Sequence, residues 1–159
     1  MRKIDYIFID SDREALGSKS GRHVVPNFGY HFVVNSQGCV INPTDISLTA
    51  NIIQGPVYAP DKYNKCSIFI RYCGSIRPEA RLIEPEIEHE TRNLKFETRC
   101  RTALKQRQAL ISLLVELRRH FPEAKILGVS EIDGRELYCK NIIVSDAMNV
   151  LRRELSDLP

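Results

Sequence analysis

The stretch IDYIFI, residues 4–9, decides the fold of this chain. It is rich in β-branched and aromatic residues and is nearly continuous in apolar character. Such a run is typical of a strand covered on both faces, as in a sheet flanked by helices. We therefore expect an inner strand of an α/β protein here.

Three further strands are predicted over residues 30–34, 67–72 and 125–129, where β-branched and aromatic residues recur. The first of these runs into the turn NSQG, residues 35–38, and apolar residues return over 39–41. An Asn-x-x-Gly turn between two apolar runs predicts a β-hairpin. The residues between this hairpin and position 67 contain three prolines and predict a long surface connection.

Two helices complete the pattern. Residues 102–120 have an apolar stripe that includes Leu110 and Leu114, and Pro122 ends it. A final helix is expected after Ser145, whose side chain would cap it, with its leucines facing inward. The order of elements predicts a single α/β domain over 1–159, with a mixed central β-sheet flanked by helices.

Residues 74–98 fit this pattern least well, because glutamates alternate with other residues and basic residues follow them. We expect an irregular, exposed and charged excursion, with an interaction surface as the alternative. If the segment forms an edge strand, it would give a homodimer contact by edge pairing.

Composition limits the possible functions. The chain has 159 residues and a net charge of +3, and its charges are spread over both halves, so no concentrated basic face for nucleic acid is expected. No apolar stretch is long enough to cross a membrane. The amino terminus has no signal-peptide pattern, which predicts a cytoplasmic protein. Five widely spread cysteines predict free thiols, and four histidines show no metal-binding spacing.

Several pieces of the chain resemble the zinc-dependent N-acetylmuramoyl-L-alanine amidases, the family of the phage lysozyme-type amidases and the peptidoglycan recognition proteins. Residues 4–11 are similar to the family's first strand, and GYHFVV at 29–34 is similar to its hairpin. YNKCSIFI at 63–70 and FPEAKILG at 121–128 resemble two later strands. Residues 140–151 resemble the end of the family's domain. The resemblance implies the amidase and peptidoglycan-recognition-protein fold, a mixed sheet with helices packed on it.

The resemblance also implies a chemistry, the hydrolysis of the amide between the lactyl group of muramic acid and L-alanine. Zinc held by three protein ligands activates water for this reaction. The family's ligand positions fall on Asp10, Val129 and Ile142 here, and a histidine of the family's cleft falls on Cys66. Since valine and isoleucine offer no lone pair, we expect that zinc is not bound.

Two supporting residues of the family are matched. Tyr30 corresponds to the catalytic tyrosine and Lys140 to the catalytic lysine, both expected to be vestigial. A weaker alternative is a shifted metal site made of Asp10, Glu131 and Cys139, which would give an active amidase. His31 is expected to point away from Tyr30 because neighbouring strand residues face opposite sides. His23 lies in a loop that could fold over the cleft.

The resulting hypothesis is an inactive amidase-like protein whose groove, with Asp10, Cys66, Val129 and Ile142, binds peptidoglycan fragments or a protein partner. A second hypothesis is the active amidase with altered ligands. A third is an interaction domain with a closed groove, in which Val129 and Ile142 pack where the metal would be. Contact with the cell wall would require release by a route other than a signal peptide.

Overall fold

A five-stranded mixed sheet forms the centre of the protein. In this computed structural model, residues 2–11, 29–50, 52, 60–73, 90–132 and 142–158 are described. The strands are β1 (Tyr6–Ser11), β2 (Phe32–Val34), β3 (Val40–Ile41), β4 (Ser67–Tyr72) and β5 (Lys125–Gly128). Their order across the sheet is β3-β2-β4-β1-β5, and only the β2–β3 pair is antiparallel. The predicted α/β class with a mixed sheet and helices is confirmed.

Strand β1 lies between β4 and β5 and is buried on both faces, as its apolar sequence predicts. Ile7 and Ile9 point to one face, and Phe8 points to the other. The first face is covered by helices, and we call its apolar residues the helix-side core. The second carries Phe8, Tyr30, Val33, Ala50, Phe69, Val129 and Ile132, and we call this cluster the aromatic core.

The predicted hairpin joins β2 to β3. The side chain of Asn35 accepts hydrogen bonds from the backbone N–H groups of Gln37 and Cys39, at 3.0 and 2.9 Å. Gly38 has φ +81°, a conformation that favours glycine. The turn therefore forms where the Asn-x-x-Gly pattern predicts it.

Three helices accompany the sheet: α1 (Pro60–Asn64), α2 (Glu90–His120) and α3 (Ile142–Ser156). Helix α2 starts at Glu90, so the expectation of an irregular segment is wrong for residues 90–98. No proline or glycine occurs between positions 86 and 121, and many of these residues are strong helix formers. High helix propensity therefore allows the first turns of α2 to form without an apolar stripe. Residues 74–89 lie outside the described part of the chain.

Helix α3 also starts earlier than expected. It begins at Ile142, so Ser145 lies inside the helix and is not its N-cap. The β-branched residues ahead of Ser145 are only modestly unfavourable in a helix, and tertiary packing readily outweighs that cost. The presence of one residue that favours capping is therefore not enough to locate the start of a helix from the sequence.

The two long helices, α2 and α3, pack on the sheet through the helix-side core. Leu110, Leu114 and Leu117 of α2 are buried there, as predicted, together with Leu151 and Leu155 of α3. Met148, which the sequence pattern did not single out, is fully buried in the same core. Burial of a large apolar side chain contributes about 1.5 to 3 kcal/mol, so this core is the main source of stability for the helical layer.

Two further findings bear on the expectations from composition. Within the described residues, no helix has the length and apolar character needed to span a bilayer. Cys39, Cys66 and Cys73 are free thiols.

Candidate functional site

The candidate site lies where the parallel strands β1, β4 and β5 end. Asp10 of β1 pairs in register with Arg71 of β4, and Arg71 pairs with Val33 of β2. Ile9 pairs with Gly128, so Val129 follows at the level of Asp10. Asp10 and Arg71 lie two residues beyond Phe8 and Phe69, so alternation directs them to the face of the aromatic core. Ligands of open α/β sheets bind at this carboxyl edge.

Tyr30 and Asp10, two residues selected from the sequence, meet at this edge. The Tyr30 hydroxyl donates a hydrogen bond to Oδ2 of Asp10 at 2.7 Å, and Tyr30 is only 4% exposed. Gly29 precedes Tyr30 with φ +96°, and its N–H donates to Oγ1 of Thr44 at 3.3 Å. The glycine therefore allows the chain to turn so that the tyrosine enters the aromatic core.

Arg71 is a member of this site that was not selected from the sequence. It is 6% exposed, in a strand whose six residues are all buried. A buried arginine is rare unless it is paired, so an arginine in the apolar run SIFIRY is itself a signal of a functional or structural role. Its position beside Asp10 gives the site a cation and an anion on neighbouring strands.

Val129, on which the resemblance places the family's second metal ligand, begins a short 3-10 turn, Val129–Glu131. It is 4% exposed and packs in the aromatic core with Phe8, Tyr30 and Ile132. At the level of Asp10, Val129 thus presents a hydrocarbon side chain, which offers no lone pair to a metal.

Glu131, a residue of the alternative metal site, has other partners. Its carboxylate accepts two hydrogen bonds from Arg152 of α3, at 2.8 and 3.0 Å, and one from the N–H of Gly128 at 2.8 Å. Helix α3 packs on the helix-side core, whereas Asp10 bonds to Tyr30 of the aromatic core. The Glu131 carboxylate is therefore engaged by Arg152 and by the backbone of Gly128.

Cys66 lies at the other end of the sheet. It directly precedes β4, and its carbonyl accepts a hydrogen bond from the N–H of Asp5 at 2.8 Å. Arg71 is the fifth residue after Cys66, about 16 Å further along the extended chain. Burial is the largest cause that raises the pKa of the Cys66 thiol, and its S–H donates to the carbonyl of Lys62. Cys66 is therefore a protonated thiol remote from the Tyr30–Asp10 pair.

The other sequence-selected residues are not placed. His23, Cys139 and Lys140 lie outside the described residues, and of Ile142 only its position as the first residue of α3 is described. The structure therefore brings together Asp10, Tyr30 and Val129 from the predicted set. It places Cys66 at the opposite end of β4, and it engages Glu131 with Arg152 of α3.

His31 does not point away from Tyr30 as expected. Strand β2 begins only at Phe32, so strand alternation does not apply to residues 30 and 31. The His31 ring stacks near the ring of Phe69, a member of the aromatic core with Tyr30. Its Nδ1 accepts from the N–H of Phe69 at 3.0 Å, and its Nε2 lies 2.8 Å from the carbonyl oxygen of Leu48. Both ring nitrogens are thus engaged within the protein.

The described residues of this edge do not include a donor set that fits zinc. Among the described residues, no cluster of three or more His, Cys, Asp or Glu side chains could hold a metal ion. A catalytic zinc needs three protein ligands, and Asp10 is the one oxygen donor that the described part of this edge offers at a family ligand position. The resemblance to zinc amidases therefore does not extend to the metal-binding residues of this region.

No model of a known protein family matches this chain. No curated protein matches it either. Evidence about function therefore comes from the geometry of the site and from the resemblance of the sequence motifs.

Proposed function

We propose that this protein is a non-hydrolytic relative of the N-acetylmuramoyl-L-alanine amidases that binds peptidoglycan fragments through a site without zinc. The mixed sheet, with its helices and hairpin, is compatible with the amidase and peptidoglycan-recognition-protein fold. The motifs that resemble the family lie on β1, the β2–β3 hairpin, β4 and β5. These elements also surround the candidate site.

The buried side chain of Val129 beside Asp10 carries the proposal. Zinc hydrolysis needs a metal that polarises the amide carbonyl and activates water, and this requires donors at fixed positions. Val129 contributes hydrocarbon at one of these positions and is packed against Tyr30 and Ile132. No catalytic step through a metal is therefore assigned to these residues.

Binding of a muropeptide requires hydrogen-bonding groups but, unlike its hydrolysis, no metal ligands. Tyr30 and Asp10 give a polar pair at the carboxyl edge of the sheet, and Arg71 adds a cation beside it. A muropeptide offers amide groups and carboxylates, which form hydrogen bonds with such groups. A protein that retained the edge and lost the metal donors would bind the ligand without cleaving it.

The low exposure of this region favours one second candidate. Tyr30, Val129 and Ile132 are exposed by 4%, 4% and 3%. An interaction domain whose groove is closed by packing would have such values, and it would contact a protein partner or a second copy through another surface. The two candidates differ in whether a muropeptide binds.

Titration of the intact chain with a disaccharide–pentapeptide muropeptide tests the proposal. Saturable binding without cleavage is expected, and Tyr30→Phe is expected to weaken it because the substitution removes the hydroxyl that is bonded to Asp10. Tyr63→Phe is a matched control, since Tyr63 packs against Phe8 in the same layer but lies on α1.

Two results would count against muropeptide binding at this site. Absence of saturable binding would favour the closed interaction domain. Equal weakening by Tyr30→Phe and Tyr63→Phe would show that the Tyr30–Asp10 pair is not the binding determinant.

A further inference from the structure

His31 is the most deeply buried ionisable residue in the described part of the chain. It is 0% exposed and connects three segments. Its backbone N–H donates to the carbonyl of Phe69 at 2.9 Å, and its ring contacts the backbone of Phe69 and Leu48. Its own carbonyl accepts from the side chain of Asn42. The residue therefore links the start of β2 to β4 and to the segment that follows β3.

These contacts define the protonation state of the ring. Nδ1 accepts a hydrogen bond from the backbone N–H of Phe69, so it carries no proton. Nε2 faces the carbonyl oxygen of Leu48 at 2.8 Å, so it carries the single proton and donates it. The geometry requires a neutral imidazole in the Nε2–H tautomer.

Arg2 lies against the same ring. Its Nη2 is 3.0 Å from Nε2 of His31 and donates to the carbonyl of Ser67 at 2.8 Å. Its Nε donates to the carbonyl of Ile46 at 2.8 Å. The guanidinium thus joins the N-terminal segment to β4 and to residues 42–50, and these bonds hold a fixed positive charge next to His31.

The surrounding charges oppose protonation on balance. Burial is the largest cause that lowers the pKa of His31; the Leu48 carbonyl raises that pKa, Arg2 lowers it, and Asp45 raises it. In the described part of the chain, the charged groups acting on the ring are Arg2 from the N-terminal segment and Asp45 from residues 42–50. Strand β4 contributes the backbone of Ser67 and Phe69 and the Phe69 ring.

We propose that His31 is an acid-sensitive latch that holds the start of β2 on β4 while its ring is neutral. A proton on Nδ1 would remove the acceptor for the N–H of Phe69. It would also create a cation beside Arg2 in a buried environment. The first change favours separation of the start of β2 from β4, and the second repels the guanidinium of Arg2.

The latch is next to the candidate site in the chain, since Tyr30 precedes His31. Its release would disturb the strand start that positions the Tyr30 hydroxyl on Asp10. The inference itself rests on the contacts of His31 and holds whether or not the protein binds a muropeptide.

The direct test is a pH titration of the imidazole nitrogens of the wild-type chain by NMR. The expected result is the Nε2–H tautomer at pH 7.5 and a titration midpoint below the ordinary 6.5. An Nδ1–H tautomer, or a midpoint at or above 6.5, would overturn the proposal. This measurement needs no variant and is therefore independent of any folding defect.

Urea unfolding at a series of pH values tests the consequence. Below pH 6.5 the unfolded chain binds a proton that the folded chain excludes, so acid favours unfolding. The unfolding constant is expected to rise by up to about tenfold for each pH unit until the lowered folded pKa is reached. Amide exchange at Phe69 is expected to accelerate over the same range.

His31→Asn provides the comparison, because its amide can accept from the N–H of Phe69 and does not titrate. This variant is expected to lose most of the pH dependence between pH 5 and 7. His120→Gln is the matched control, since His120 is exposed on α2, and it should retain the wild-type dependence. Equal pH dependence in wild type and His31→Asn would contradict the latch.

Discussion

The hydrogen bond between Tyr30 and Asp10 gives a sharp prediction about the candidate site. The two oxygens are 2.7 Å apart, and the tyrosine is 4% exposed, so water replaces the lost partner poorly. Hydrogen bonds to charged groups contribute about 1.5 to 3 kcal/mol. Tyr30→Phe is therefore expected to lower the free energy of unfolding by about 2 kcal/mol at pH 7.

A double-mutant cycle separates this bond from the other contacts of the two residues. The cycle uses Tyr30→Phe, Asp10→Asn and the double variant, each unfolded by urea and followed by circular dichroism. Since the two groups are in direct contact, a coupling energy of about 1.5 kcal/mol is expected. Tyr63→Phe in place of Tyr30→Phe should show no coupling with Asp10→Asn.

A small coupling would refute the reasoning. If the cycle gives less than about 0.3 kcal/mol, the two residues contribute independently and the pair is not a unit. Such a result would remove the polar pair on which the proposed binding site depends.

Three further substitutions test the packing around the site and the sheet by urea unfolding. Glu131→Gln is expected to cost about 1 kcal/mol, because it retains an acceptor for the N–H of Gly128 and loses the ion pair with Arg152, whose side chain is 31% exposed. Gly38→Ala should cost about 2 kcal/mol, because φ is +81° and the new Cβ would lie 2.9 Å from Cγ of Lys105. Leu114→Ala, at a fully buried position, should cost about 3 kcal/mol. If the free energy of unfolding of any of these variants is unchanged, the corresponding contact does not stabilise the protein as argued.

The strands were well predicted from sequence because their signals are local. Residues 67–72 form β4 as expected, and the apolar run 4–9 largely coincides with β1, Tyr6–Ser11. A strand buried on both faces needs a continuous apolar run, which few other structures produce. Turn chemistry likewise fixes the hairpin, because Asn35 and Gly38 each have a specific conformational role.

Helix starts and site membership were harder to predict. The first turns of α2 have no apolar periodicity, so helix propensity alone would have had to indicate them. Arg71 was missed because a single arginine in an apolar run is also compatible with an exposed edge strand. Only the strand order, which puts β4 between β2 and β1, shows that Arg71 is buried. The orientation of His31 depends on where β2 begins, which period-two alternation cannot determine.

The most direct test of the central claim is zinc analysis of the purified intact chain together with a muropeptide hydrolysis assay. The proposed loss of the metal donors, with Val129 buried beside Asp10, predicts no stoichiometric zinc and no released L-alanine amine. Stoichiometric zinc with amide hydrolysis would contradict the account and would favour an amidase with altered ligands.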